Sequence, residues 1–171
     1  GGDVLWDVRT GEGRTFGRAG RRLAGRDGVD LGGEPETDTE RERRLKREAL
    51  LGLNDRVARY YVERLHDQTD SQALAALQYA KNRWGLEYAE EAGMGYAPAS
   101  GSALYEWARK RGENLDHLFE LGLLGKNEQR GTVYDFYRGR LVIPIRDKQR
   151  RTVGFTARDV TGQSEAKYLN S

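Results

Sequence analysis

The sequence predicts an α+β fold, with a helical N-terminal two-thirds followed by a small, mainly antiparallel sheet. Three observations carry this reading. Apolar residues recur at spacings of three and four between about residues 41 and 125. From Val133 onward the period changes to two, with strands expected over residues 132–171. Two alternating runs then flank a charged stretch at residues 147–151, which is a hairpin signature.

Residues 1–30 hold short helical periodicities (Val4, Leu5, Val8, then Phe16, Ala19, Leu23) broken by Gly11, Gly13, Gly17 and Gly20. The glycines from Gly11 to Gly17 resemble a phosphate loop in composition. They lack a Gly-Lys-Ser/Thr ending and follow no convincing strand, so they are not read as one. Residues 31–36 read as linker. Thr37-Asp38-Thr39-Glu40 then forms a T-x-x-E capping box, in which the threonine hydroxyl and the glutamate satisfy free helix-start amides. Behind it, Leu45, Ala49, Leu50, Leu53, Val57, Tyr60 and Leu65 mark one long amphipathic helix, or two with a break near Gly52.

A second helix is expected from Ser71 to about Trp84, with Asp70 or Ser71 as N-cap and Gly85 ending it. Gly93 to Pro98 reads as a turn or short extended segment. Further helices fit residues 102–111 and 115–123. In the sheet region, placing both apolar sets on one buried face pairs Ile145 with Val153, Ile143 with Phe155 and Leu141 with Ala157. That register sets Arg140 opposite Arg158 on the other face, with Arg138 nearby. Pro144 points to an edge or bulged strand.

Composition excludes several functions. The 171 residues contain no cysteine, which removes disulfides and thiolate metal sites. His66 and His117 have no HxxH or HExxH partner and read as ordinary surface or packing residues, so no metal site is expected. No apolar run approaches the roughly 20 residues that span a bilayer. The chain opens Gly-Gly-Asp without a methionine or a leader, and reads as a piece of something longer.

The net charge of +2 is unevenly spread. Residues 138–167 carry eight basic side chains against Asp147, Asp159 and Glu165. Such an excess fits a polyanion-binding surface, or simply a solvated hairpin. Like charges paired across strands repel, so the expected Arg140–Arg158 pair favours an anionic partner.

Tyr134-Asp-Phe-Tyr-Arg-Gly-Arg-Leu-Val-Ile-Pro-Ile-Arg-Asp147, then Val153-Gly-Phe-Thr-Ala-Arg158, then Lys167-Tyr-Leu-Asn-Ser171, resemble in order and spacing the DnaG-type bacterial DNA primases. Gly93-Met-Gly-Tyr-Ala-Pro98 is similar to the family's G-Y-A-P stretch, and residues 1–31 are similar to the end of its zinc-binding module. Two departures stand out. Glu91 and Ala92 replace a basic residue and an aromatic, and Thr156-Ala157 replaces the usual glycine pair.

The resemblance implies a division into residues 1–33, the tail of the zinc-binding module without its ligands; a linker at 34–40; and residues 41–171, the N-terminal subdomain of the RNA-polymerase core. It implies that zinc and magnesium (or manganese) are held elsewhere in the full-length protein, with no cofactor on this fragment and a Toprim subdomain beyond it. Arg138, Arg140, Arg158 and Arg146 then map to nucleic-acid-binding positions, and Lys167, Tyr168 and Asn170 to a nucleotide-binding element. The expected function is part of a DNA primase that makes short RNA primers on single-stranded DNA. Expected partners are single-stranded template, RNA primer–DNA heteroduplex, nucleoside triphosphates and a replicative helicase, with no membrane, in the cytoplasm at the replication fork. The isolated fragment is expected to be inactive. The alternatives are a non-enzymatic single-strand-binding module and a nucleotide-sensing module on the same scaffold.

Overall fold

The computed structural model describes residues 34–161 and 168–171. The readings made on residues 1–33, and on Lys167, lie outside the described residues. Helix α1 (Asp38–Leu65) starts at the capping box. The Glu40 N–H donates to Thr37 Oγ1 at 3.1 Å, and the Thr37 N–H donates to Glu40 Oε1 at 2.9 Å. The linker expected over 34–40 therefore stops at Thr37, because its last three residues form the first turn of α1. Gly52 does not break the helix. A glycine inside a helix costs about 1 kcal/mol, and burial of Leu53, Val57, Tyr60, Tyr61 and Leu65 along one side outweighs it. Residues 34–49 are exposed, so the first three turns of α1 reach past the core.

Asp70 caps α2 (Ser71–Trp84), accepting from the Gln72 and Ala73 N–H groups at 2.9 and 3.2 Å. Gly85 ends α2 at φ +93°, a region that disfavours any side chain, and leads directly into α3 (Leu86–Glu91). This short helix is invisible to the periodicity. After it come strand β1 (Gly95–Ala97), α4 (Ala103–Arg111) and α5 (Leu115–Glu120). The helical reading of residues 121–125 is corrected: α5 stops at Glu120, and a turn leads into β2 (Leu124–Asn127). This strand pairs antiparallel with β3 (Thr132–Asp135). Its Gly125 lies under the Tyr134 ring, where a Cβ would stand 2.5 Å from the ring carbon Cζ. A strand built around such a glycine has little sequence signal of its own.

Strand β3 also starts α4. Ser102, at the N-cap position, makes no capping bond; Asp135 does so from across the fold. It accepts the Leu104 N–H at 2.8 Å and the Tyr105 N–H at 3.0 Å. Burial pushes the Asp135 carboxyl above its usual pKa, against the lowering effect of those backbone donors. On the next turn, Glu113 takes a two-pronged bond from Arg56 of α1 at 2.9 and 2.8 Å, joining α1 to the α4–α5 connection. The Arg56 bond holds the Glu113 carboxyl below its usual value, with Arg111 adding to the effect against burial.

The main sheet runs β1–β4–β5–β6, every neighbour antiparallel, with β4 (Arg140–Arg146), β5 (Thr152–Arg158) and β6 (Tyr168–Asn170). The expected register is wrong by one residue. Leu141 pairs with Arg158, Val142 with Ala157, Ile143 with Thr156, and Pro144 with Phe155. The assumption of one buried face fails because helices cover both. Val142, Phe155 and Ala157 join Leu53, Val57 and Tyr61 of α1 in one core. Tyr96 and Leu141 join Ala73, Ala76 and Ala80 of α2 and Ala89 of α3 in the other. With both alternating sets apolar, period two leaves the register open.

Two close fits hold this arrangement. A Cβ on Gly95 would stand 2.5 Å from the Tyr61 carbonyl carbon, so β1 touches the backbone of α1. Pro144 lies beyond the end of β1, whose last partner on β4 is Val142. The Phe155 backbone bonds towards Ser171, at 3.0 and 3.2 Å, so the Pro144 nitrogen faces the open side where no donor is needed. A bulge follows between Ile145 and Arg146.

Two stability outcomes follow from these contacts. Asp135→Ala removes the side chain that, among the described residues, caps α4, and is expected to cost about 1–3 kcal/mol in chemical denaturation; an unchanged midpoint would contradict the capping role. For Glu113, whose pKa is lowered on folding, the stabilisation is present above the ordinary value of 4.5 and is lost as pH falls through the lowered value. The stability advantage of wild type over Glu113→Gln should therefore hold at neutral pH and fade in that acid range.

Candidate nucleic-acid interface

The slip of one residue redistributes the basic side chains. In an antiparallel sheet, paired residues share a face and successive residues alternate. Arg158, paired with Leu141, lies on the face covered by α2 and α3, whereas Arg140 lies on the α1 face. The expected confrontation of Arg140 with Arg158 does not exist, and neither does the repulsion inferred from it. The sequence argument for an anionic partner loses that support.

Arg140 begins β4 at 7% exposure and donates towards the Ala157 carbonyl at 3.5 Å. Arg138, two residues earlier, is exposed. Its guanidinium carbon stands 5.5 Å from the centre of the Tyr134 ring, and its Cδ would meet a Cβ on Gly101 at 3.3 Å. Between the two arginines Gly139 turns the chain at φ +62°, its N–H bonded to the Ala97 carbonyl at 2.7 Å. A cavity of about 340 Å³ opens here, lined by Phe136, Arg138, Gly139, Arg140, Asp159, Thr161 and Leu169. Asp159 is an acid the sequence reading did not place beside these arginines. It accepts from the Thr161 N–H at 3.0 Å and hydroxyl at 2.7 Å, closing the turn at the end of β5.

On the opposite face Arg158 is 6% exposed. Its guanidinium carbon lies 5.5 Å from the Tyr79 ring centre and 5.0 Å from that of Tyr168, and one N–H donates to the Tyr168 hydroxyl. Tyr168 is 46% exposed on the edge strand β6, and Asn170 follows on the same face. Arg146 lies at the far end of β4, roughly 20 Å from Arg140 at a rise of about 3.3 Å per residue. Beyond the bulge it donates to the Glu91 carbonyl at 3.2 Å, and its guanidinium packs over Gly93.

The structure thus joins Arg138 and Arg140 in one pocket, sets Arg158 with Tyr168 and Asn170 on the other face, and leaves Arg146 apart. Sequence reasoning missed Tyr134, Tyr79, Asp159 and Thr161 as neighbours of these groups. Tyr134 opens the Tyr134–Asp147 motif, whereas Tyr79 carries no signal beyond membership of a helix. Chemically, the pocket offers the exposed guanidinium fork of Arg138, which matches phosphate oxygens, with the buried charge of Arg140 behind it. Among the described residues no three His, Asp or Glu side chains gather where they could hold a metal ion. Among the same residues, no helix is long and apolar enough to cross a membrane.

Comparison with known proteins bears on this arrangement. The DNA primase of Deinococcus radiodurans is 36% identical over 99% of this chain, and the chain spans only 27% of that protein. The solved DnaG primase catalytic domain bound to single-stranded DNA is 32% identical, with a TM-score of 0.63 over 74% of this chain and 38% of that one. The zinc-binding and RNA-polymerase domains of Aquifex aeolicus primase are 30% identical, with a TM-score of 0.62 over 90% of this chain and 34% of that one. The family model for the N-terminal domain of the DNA primase catalytic core matches residues 60–171. With the helices, the antiparallel sheet and the arginine pocket in place, the chain belongs to the DnaG-type primase family, as the N-terminal domain of its catalytic core.

Proposed function

We propose that this chain supplies the wall of a DNA primase along which single-stranded template runs. The observation that carries the reading is the pocket formed by Arg138 and Arg140 at the mouth of β4. Arg138 is exposed and braced on Tyr134, so its fork meets a phosphate with little further ordering. Arg140 contributes positive charge from inside the sheet, where the low dielectric strengthens it. Asp159, within the same lining, limits the excess charge and favours a strand entering along one path. A relative of the same fold bound to single-stranded DNA supports the assignment.

In the same reading, Lys167, Tyr168 and Asn170 form a nucleotide-binding element, of which Tyr168 and Asn170 lie on the other face of the sheet, and Arg146 meets a separate stretch of nucleic acid. Residues 1–33 are the tail of a zinc-binding module, joined by a connection that ends at Thr37 to the core subdomain that α1 opens. The full-length protein would synthesise short RNA primers from nucleoside triphosphates in the cytoplasm, beside a replicative helicase. Its phosphoryl transfer would use divalent metal, and its zinc module would hold zinc, both outside this chain. The residues present here bind and orient; they do not activate a hydroxyl or hold a leaving group.

Salt titration tests the strand assignment. Arg138→Ala should weaken binding of single-stranded DNA and make the slope of log affinity against log salt shallower by about 0.7, the value for one phosphate contact. An unchanged slope would remove Arg138 from the strand path. The 171-residue chain alone, given template, nucleoside triphosphates and Mg²⁺, is expected to make no primer; product from the purified chain would show that the chemistry resides here after all.

A further inference from the structure

The Tyr79–Arg158–Tyr168 group has a geometry that phosphate binding does not explain. Arg158 maps onto a nucleic-acid-binding position, yet it is 6% exposed. Its guanidinium sits between two aromatic rings, at 5.5 Å from Tyr79 and 5.0 Å from Tyr168, and it also donates to the Tyr168 hydroxyl. Its Nε has no hydrogen-bond partner among the described residues. An arginine held this way is poorly placed to give its fork to a phosphate. A phosphate reaching it would have to displace an aromatic ring on one side or the other.

The row continues into α2. The Tyr79 ring meets Trp84 edge to face at 6.2 Å, and the Arg83 guanidinium carbon lies 5.5 Å from the Trp84 ring centre. Tyr79 and Trp84 both pack on the core that joins α2 to the sheet. The rear of the row is therefore anchored in the hydrophobic interior. Its front end is Tyr168, 46% exposed on an edge strand, a large ring that the fold leaves in water. Two residues along β6, on the same face, stands the exposed amide of Asn170.

We infer that Arg158 is a positioning residue, backed by Tyr79, that fixes Tyr168 as a stacking platform for an unpaired nucleobase. The inference rests on the reading that this domain binds nucleic acid, and it assigns Tyr79 a part that the motif resemblance does not. The cation holds the Tyr168 ring from behind and ties its hydroxyl, so the ring needs little ordering when a base arrives. The free face of the ring is left for the base, and Asn170 provides a donor and an acceptor for the base edge. Two sources offer the same chemistry: a base of the template strand and the base of a free nucleoside triphosphate.

The test uses the full-length protein and three probes: an oligo(dA), an oligonucleotide of equal length made of abasic sites, and ATP. The two oligonucleotides carry the same phosphates, so their difference reads base stacking. If the base comes from the strand, Tyr168→Ala should weaken oligo(dA) binding by about five- to hundredfold, the range for loss of one stacked base. Abasic and ATP binding should then be unchanged. If the base comes from the free nucleotide, ATP binding falls instead and both oligonucleotides keep their affinity.

Arg158→Gln and Tyr79→Leu should weaken the same probe as Tyr168→Ala, leave the salt slope unchanged, and add nothing when combined with Tyr168→Ala. Tyr79→Phe, which keeps the ring, should bind as wild type and so separates positioning from a general loss of folding. The inference is overturned if Arg158→Gln weakens the abasic strand as much as oligo(dA) with a slope shallower by about 0.7, since that marks a phosphate contact. It also fails if Tyr79→Leu leaves every probe at wild-type affinity. Arg138→Ala in the same titrations keeps the two readings apart: its loss of abasic-strand affinity upholds the template wall whatever Tyr168 does.

Discussion

The sheet's coverage on both faces is the constraint on which the rest of the molecule depends. Helix α1 lies so close to β1 that Gly95 has no room for a side chain beside the Tyr61 backbone. Helices α2 and α3 cover the opposite face through a row of alanines, Ala73, Ala76, Ala80 and Ala89. Between these layers each residue of β4 and β5 has a single destination, and a shift of one position would exchange two cores. The register therefore decides where every arginine of the motif goes.

That constraint gives neighbouring arginines different surroundings. Arg140 and Arg138 emerge on the α1 side into a pocket with Asp159, while Arg158 turns into the aromatic group on the α2 side. In the motif they are three equivalent basic positions; in the fold they differ in exposure, in partners and in what a ligand would meet. A surface that binds a nucleic acid needs both charge for the phosphates and ring faces for the bases. In the proposed reading the sheet separates the two by its thickness, with β6 forming the edge between them.

Much of the fold was legible because its signals are local. The Thr37–Glu40 capping box, the Asp70 cap and the Gly85 stop each act within a few residues, and α1 and α2 appear where those signals place them. What stayed hidden depends on distant groups. Asp135 caps a helix some thirty residues earlier in the chain, so Ser102 gives no indication of how α4 begins. Strand β2 contains Gly125, whose place under Tyr134 is set by its partner strand. The register was undecidable because Leu141 and Val142 are both buried, on opposite faces. Of the site, the motif identified residue types and order, but not which side of the sheet each would serve. Tyr79 lay outside the motif altogether.

The most direct test of this division of labour is a crystal structure of the protein with a single-stranded oligonucleotide. The account expects a backbone phosphate within about 3 Å of the Arg138 or Arg140 guanidinium, with Arg158 still held between Tyr79 and Tyr168. A phosphate seated on the Arg158 guanidinium, with either ring swung away and the Arg138–Arg140 pocket empty, would contradict it.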